Sequence, residues 1–92
     1  MPSMKICDHT TLGNYANFGN YVNCGIHVTF GDHAIFGDYA TFGNHVTFGK
    51  HVTFGDNVIF RDNATFEKHS SFSDNATFRY YVTFGDHTTF GD

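Results

Sequence analysis

The chain repeats one six-residue unit from residue 6 onward, and Phe marks the repeat. All twelve Phe residues fall on the same six-residue period, and Ile6, Leu12 and Cys24 fill its remaining positions. An α-helix has about 3.6 residues per turn, so a strict period of six would scatter the Phe side chains around a helix. The repeat therefore excludes a helix and predicts a fold of stacked, equivalent units.

Each unit has the pattern of a short strand followed by a corner. A small residue stands two places before each Phe and the residue between them is usually Thr, as in Val46, Thr47 and Phe48. This alternation is typical of a strand whose small residue and Phe face inward while the Thr faces outward. Gly, then Asp or Asn, then His, Asn or Tyr usually follow. These residues are common in turns, and Gly, Asn, Asp and His tolerate a positive φ.

The pattern resembles the hexapeptide-repeat family, the left-handed parallel β-helices of bacterial acyltransferases. The unit of that family is an aliphatic residue, Gly, two variable residues, a small residue and one more variable residue. Residues 6–92 fit it, with Phe in place of the usual Leu, Ile or Val. The resemblance implies an all-β, single-stranded parallel β-helix (β-solenoid), left-handed and triangular, with about five coils of three units. Quadrilateral solenoids with a five-residue repeat also accept inward Phe, but a period of six favours the triangle.

A triangular coil predicts three columns of inward residues along its axis, with Leu12 and the twelve Phe as the core. The columns are Ile6, Cys24, Phe42, Phe60 and Phe78; Leu12, Phe30, Phe48, Phe66 and Phe84; and Phe18, Phe36, Phe54, Phe72 and Phe90. We expect residues 1–5 to be an N-terminal cap or leader and residues 6–92 to be the solenoid. No cap follows Phe90, so we expect a longer solenoid or a contact with another copy at that end.

Composition argues against several partners. Nine acidic residues against five Lys and Arg, with no basic cluster, predict no nucleic-acid binding. No apolar run approaches the ~20 residues of a membrane span and no signal peptide is evident, so we expect a soluble chain of undetermined location. Cys7 and Cys24 are too few for a disulfide scaffold, and Cys24, at an inward position, is interpreted as a small core residue.

Histidine recurs every eighteen residues along two predicted edges. A histidine column comprises His33, His51, His69 and His87, and a second one comprises His9, His27 and His45. Neighbouring imidazoles on one edge could share Zn²⁺ or another transition metal. The competing interpretation is that His, like Asn and Tyr at this position of other units, suits the corner backbone. We predict no metal or cofactor site, and the first histidine column is the candidate if one exists.

Two further columns are candidate surfaces. The acidic column, Asp38, Asp56, Asp74 and Asp92, could bind Ca²⁺ or could simply form solvated turns. The threonine column looks like the ice-binding surface of some antifreeze proteins, although such faces generally carry two Thr columns and Thr also favours strands. The threonine column comprises Thr11, Thr29, Thr47, Thr65 and Thr83.

Enzyme activity is the function that the resemblance suggests first. It implies a catalytic His and loops that build an acyl-donor site together with a neighbouring subunit. Every unit from Ile6 has six residues, so no loop can fold over the coil, and no His differs from its counterparts. We therefore expect no catalysis and no small-molecule substrate. The favoured function is a structural solenoid that associates with itself or spaces other domains. The alternatives are ice binding and a truncated or degenerate acyltransferase-like domain.

Overall fold

The computed structural model describes residues 4–91, and in that part of the chain every regular element is a strand. The strands are short because a corner interrupts the chain every six residues. They are β1 (Met4–Ile6), β2 (Val22–Cys24), β3 (Ile35–Phe36), β4 (Thr41–Phe42), β5 (Thr47–Phe48), β6 (Thr53–Phe54), β7 (Ile59–Phe60), β8 (Thr65–Phe66), β9 (Ser71–Phe72), β10 (Thr77–Phe78), β11 (Thr83–Phe84) and β12 (Thr89–Phe90).

The strands form three parallel sheets, one on each side of the molecule. Their orders are β1-β2-β4-β7-β10, β5-β8-β11 and β3-β6-β9-β12. Partners lie eighteen residues apart, as in the pairs Thr47 with Thr65 and Phe48 with Phe66. The chain is therefore an all-β parallel solenoid with three sides and about five coils, which confirms the predicted fold class. Left-handedness stays a prediction.

Aromatic rings fill the interior in a regular arrangement. Rings of one column stack, as Phe48 does on Phe66 with centroids 4.9 Å apart. Rings of successive units meet edge to face, as Phe48 meets Phe54 at 5.0 Å. Parallel strands lie about 4.8 Å apart, so the backbone itself holds each column at stacking distance. The buried rings are those of Phe18, Phe30, Phe36, Phe42, Phe48, Phe54, Phe60, Phe66 and Phe72.

Burial falls at the two ends of the described coils. Leu12 and Phe78 are partly buried and pack against the core. Phe84 and Phe90, which we also predicted in the core, are 37% and 51% exposed. Their inner faces still stack on Phe66 and Phe72, each at 5.3 Å. Their outer faces are exposed because no coil of residues 4–91 covers them.

The corners assign positive φ differently from the sequence expectation. The residue three places after each inward residue has a φ between 56° and 65°, at all fourteen corners described, and this residue is His, Tyr or Asn. No described Gly has a positive φ. Gly is needed for a close approach instead: a Cβ on Gly43 would lie 2.8 Å from the carbonyl oxygen of Gly25 in the preceding coil.

The first strand includes part of the predicted N-terminal cap. Met4 and Lys5 pair in parallel with Val22 and Asn23, so they occupy the same positions as a regular unit. Residues 1–3 lie outside the described residues, and the cap stays a prediction. Among residues 4–91 no helix could cross a bilayer.

Candidate functional site

The corner that follows each strand of the second sheet carries the histidine column, and we call this corner the histidine edge. Each residue of the column has left-handed backbone, which points the side chain outward from the coil. The imidazoles of His33 and His51 stack at 4.9 Å, those of His51 and His69 at 4.6 Å, and those of His69 and His87 at 4.8 Å. Periodicity placed these residues together correctly.

Tyr15 extends this stack by one coil. Its ring lies 4.8 Å from that of His33, with the planes 5° from parallel. From the sequence, Tyr15 was expected only to suit the corner backbone. Its place eighteen residues before His33 is the signal that would have assigned it to the same column.

Stacking gives the histidine edge a geometry that differs from a metal centre. The planes of His51 and His69 are 1° from parallel, so an ion in the plane of one ring lies outside the plane of the next. Zn²⁺ requires imidazole lone pairs that converge on it at about 2.0–2.1 Å. Within residues 4–91 no group of three or more His, Cys, Asp or Glu side chains is arranged to hold a metal ion.

Charge on the histidine edge is mixed. Lys50 and Lys68 flank the column, together with the acidic Asp32, Glu67 and Asp86. The pKa of His69 is lowered, first by loss of hydration and then by positive charge on His51, His87 and Lys68, while Asp86 opposes the shift. Protonation of one imidazole therefore works against protonation of its neighbours.

The second histidine column is shorter. His9 stacks on His27 at 5.1 Å and His27 on His45 at 4.7 Å. Asn63 and Tyr81 follow at the same corner position in the next coils, with the same left-handed backbone. This exchange of residue types shows that the corner accepts His without requiring it.

The acidic column has a structural role that the sequence analysis missed. Oδ1 of Asp38 accepts a 2.8 Å hydrogen bond from the backbone N–H of Asp56, and Oδ1 of Asp56 accepts one from the N–H of Asp74 at 3.1 Å. Asn20 makes the same bond to the N–H of Asp38. Asp92, the fourth member, lies outside the described residues. Asp or Asn at this position therefore joins successive coils.

The threonine column lies in register on the second sheet. Thr47, Thr65 and Thr83 are paired residues of β5, β8 and β11. Thr11 and Thr29 extend the column through isolated parallel bridges. The outward positions of the other two sides are mixed, as Ile59 and Ile35 show, and both of these are exposed.

The two cysteines form no disulfide with each other and lie in different environments. Both are free; Cys7 is exposed and Cys24 is buried. Burial, with a smaller contribution from Asp8, raises the pKa of the Cys24 thiol to about 12, so it stays protonated at neutral pH. Cys24 is a core residue in the Phe42 column, as its inward position predicted.

Comparison of the sequence with protein-family models and with curated proteins finds no match. The likeness to hexapeptide-repeat acyltransferases therefore rests on the six-residue pattern and on the three-sided parallel coil.

Proposed function

We propose that this chain is a structural β-solenoid that associates with itself. The observation that carries the proposal is its uniformity: every described unit has six residues, every strand pairs at the same offset, and every corner has the same backbone. Such a coil offers repeated, flat surfaces. Catalytic sites, by contrast, are usually concave and enclose their substrates.

The coils of this chain measure 31 × 26 × 24 Å, so this stretch of solenoid is nearly as wide as it is long. Association of several such units would extend it into a longer rod or a wider array. Cyclic or helical association of identical units is the ordinary route to such structures.

The last described coil presents an aromatic layer that either a further coil or a second copy could cover. Phe84 and Phe90 already stack on the coil before them, and their outer faces are partly exposed. A second copy that covered this layer would remove aromatic surface from water, which is a favourable change of about 25 cal/mol per Å².

Sedimentation velocity over a concentration series at pH 7.5 and pH 5.0 tests self-association. We expect the weight-average mass to rise above 10.3 kDa as concentration increases. A monomer at every concentration and at both pH values would contradict the proposal. Phe90→Lys should weaken an end-to-end contact, whereas the matched change Thr89→Lys, on the outward side of the same strand, should not.

Ice binding is the second candidate, because five threonines lie in register on one side of the coil. Parallel strands space these side chains by about 4.8 Å, which gives a flat and regular array. Thermal hysteresis at millimolar concentration is the measurement. Thr47→Lys should abolish it and Thr53→Lys, on another side, should leave it unchanged. No hysteresis in the unmodified chain would rule this function out.

A further inference from the structure

The three edges of the solenoid differ in charge. The corner that follows the third sheet, which we call the acidic edge, carries Asp38, Asp56 and Asp74, and its described residues include no Lys, Arg or His. The hydrogen bonds of Asp38 and Asp56 across coils use Oδ1. A carboxylate has a second oxygen, so these side chains keep both their charge and a further acceptor.

The two edges carry titratable groups of different kinds, imidazoles on one and carboxylates on the other. An imidazole has an ordinary pKa near 6.5, and a carboxylate one near 4. The groups that face the histidine column are Lys50, Lys68, Asp32, Glu67 and Asp86. With two ammonium groups against three carboxylates, protons on any two of the four imidazoles are enough to make this edge cationic.

The two edges share one spacing. Neighbouring strands of the second and third sheets lie eighteen residues apart, so each edge presents one corner per coil at the same rise. Two copies lying side by side can therefore match charge against charge along several coils.

We propose that, in mild acid, the acidic edge of one copy docks against the histidine edge of a second copy. The proposal rests on the proposed self-association and specifies a lateral contact for it. The two edges are different surfaces, so each docked copy keeps one edge of each kind free. A contact of this heterologous type gives a ring where the rotation between copies closes and an open array where it does not.

Edge-to-edge contact buries little area, so charge must supply most of the attraction. Salt screens exposed charges over roughly 10 Å at 0.1 M ionic strength. We therefore expect assembly at low salt and at high protein concentration. Above the ordinary imidazole pKa near 6.5 the attraction falls, so at pH 7.5 this contact should be absent.

Sedimentation velocity of the full chain at 10 mM and 300 mM NaCl, at pH 7.5 and pH 5.2, tests the proposal. We expect the weight-average mass at pH 5.2 and low salt to be at least twice that at pH 7.5, and to fall back at high salt. Circular dichroism of the same samples separates assembly of folded coils from acid unfolding. Return to pH 7.5 should restore the original mass.

Substitutions by residue types that already occur at equivalent positions of this chain make the test specific. His51→Asn with His69→Asn should abolish the acid step, because it removes two of the four imidazoles of the edge. The corner should keep its fold, since Asn57, Asn63 and Asn75 occupy this position in other units with the same positive φ. Asp38→Asn with Asp56→Asn should also abolish the acid step, because it removes two negative charges from the acidic edge. The hydrogen bonds across coils should remain, since Asn20 makes the same bond. The matched control is His27→Asn with His45→Asn on the other histidine-bearing corner, which should keep the acid step.

The outcomes separate this inference from the proposed function. Assembly that is equal at both pH values and insensitive to His51→Asn with His69→Asn overturns the lateral contact and leaves self-association intact. An acid step that both His pairs abolish equally overturns the assignment to the histidine edge. A monomer under all conditions overturns both proposals.

Discussion

The rings of Phe48 and Phe66 lie in successive coils with their planes 1° from parallel and their centroids 4.9 Å apart. Phe48 also stacks on Phe30, and six rings surround it in all, because it meets four others edge to face: Phe36, Phe42, Phe54 and Phe60. Offset-stacked and edge-to-face pairs each add about 0.5–1.5 kcal/mol beyond simple burial. The aromatic core thus stabilises both the stacking of coils and the closure of each triangle.

Phe48→Ala should therefore lower the free energy of unfolding by about 3–5 kcal/mol, because it removes a fully buried ring and leaves a cavity. Phe90→Ala should cost about 1 kcal/mol or less, since that ring is already half exposed. Urea denaturation of dilute protein measures both values. Equal losses at the two positions would contradict an aromatic core centred on the middle coils.

Glycine in the corner is predicted to be needed because successive coils lie too close there for a Cβ, and not because its backbone adopts a positive φ. A Cβ on Gly43 would meet the carbonyl carbon of Gly25 at 2.9 Å, whereas one on Gly13 would meet nothing within 4 Å. Both residues have an ordinary φ. Gly43→Ala should destabilise by about 1–3 kcal/mol, and Gly13→Ala should be neutral or stabilise by up to about 1 kcal/mol.

Five units already bear a side chain at this corner position, and four of them follow an earlier coil, so the coils can shift to admit a Cβ. These units have Cys7, Arg61, Glu67, Ser73 and Arg79 in place of Gly. Gly43→Ala should accordingly fold, with a lower denaturation midpoint. A loss as large for Gly13→Ala as for Gly43→Ala would show that Gly acts through its backbone conformation.

Periodicity was sufficient to predict the columns, because a repeat of six and a three-sided coil fix which residues share a side. His33 and His51 were placed on one edge from their spacing alone, and they stack there. The orientation of their rings could not be predicted, since it depends on the left-handed corner backbone. That orientation separates a stack of imidazoles from a set of converging metal ligands.

The contacts between particular atoms of different coils could also not be predicted from the sequence. The pattern put Asp32 and Lys50 in successive coils, but the bond between Oδ1 of Asp32 and the N–H of Lys50 depends on how the corners overlap. The requirement for Gly arises from the same overlap. A repeat predicts which residues are neighbours along the axis of the coil. The atoms through which those residues contact each other depend on the conformation of the folded corner.

The hydrogen bond between Asp38 and the N–H of Asp56 can be tested by two substitutions. Asp38→Ala removes the acceptor and leaves a partly buried N–H unpaired, so we expect a loss of about 1–2 kcal/mol. Asp38→Asn keeps the oxygen and should stay within about 0.5 kcal/mol of the unmodified chain. Denaturant unfolding at pH 7.5 measures both. If Asn were as harmful as Ala, the negative charge and not the acceptor would be the stabilising feature.

Stability should decrease in acid because the pKa of His69 is lowered in the folded chain. The unfolded chain, with an ordinary His pKa near 6.5, then takes up its proton first as pH falls. The contribution of His69 is fully present above about pH 6.5 and is lost as pH decreases through the folded pKa. The melting temperature should therefore be lower at pH 5 than at pH 7.5.

The measurement needs dilute protein in 0.15 M salt, so that any acid assembly does not add stability. His69→Asn removes the titrating group and also relieves the like charge on His51 and His87, so the acid decrease should become smaller. His45→Asn, at the end of the other column, serves as the matched control and should change the decrease less. A melting temperature that is the same at both pH values would show that the stacked imidazoles protonate as freely as those of an unfolded chain.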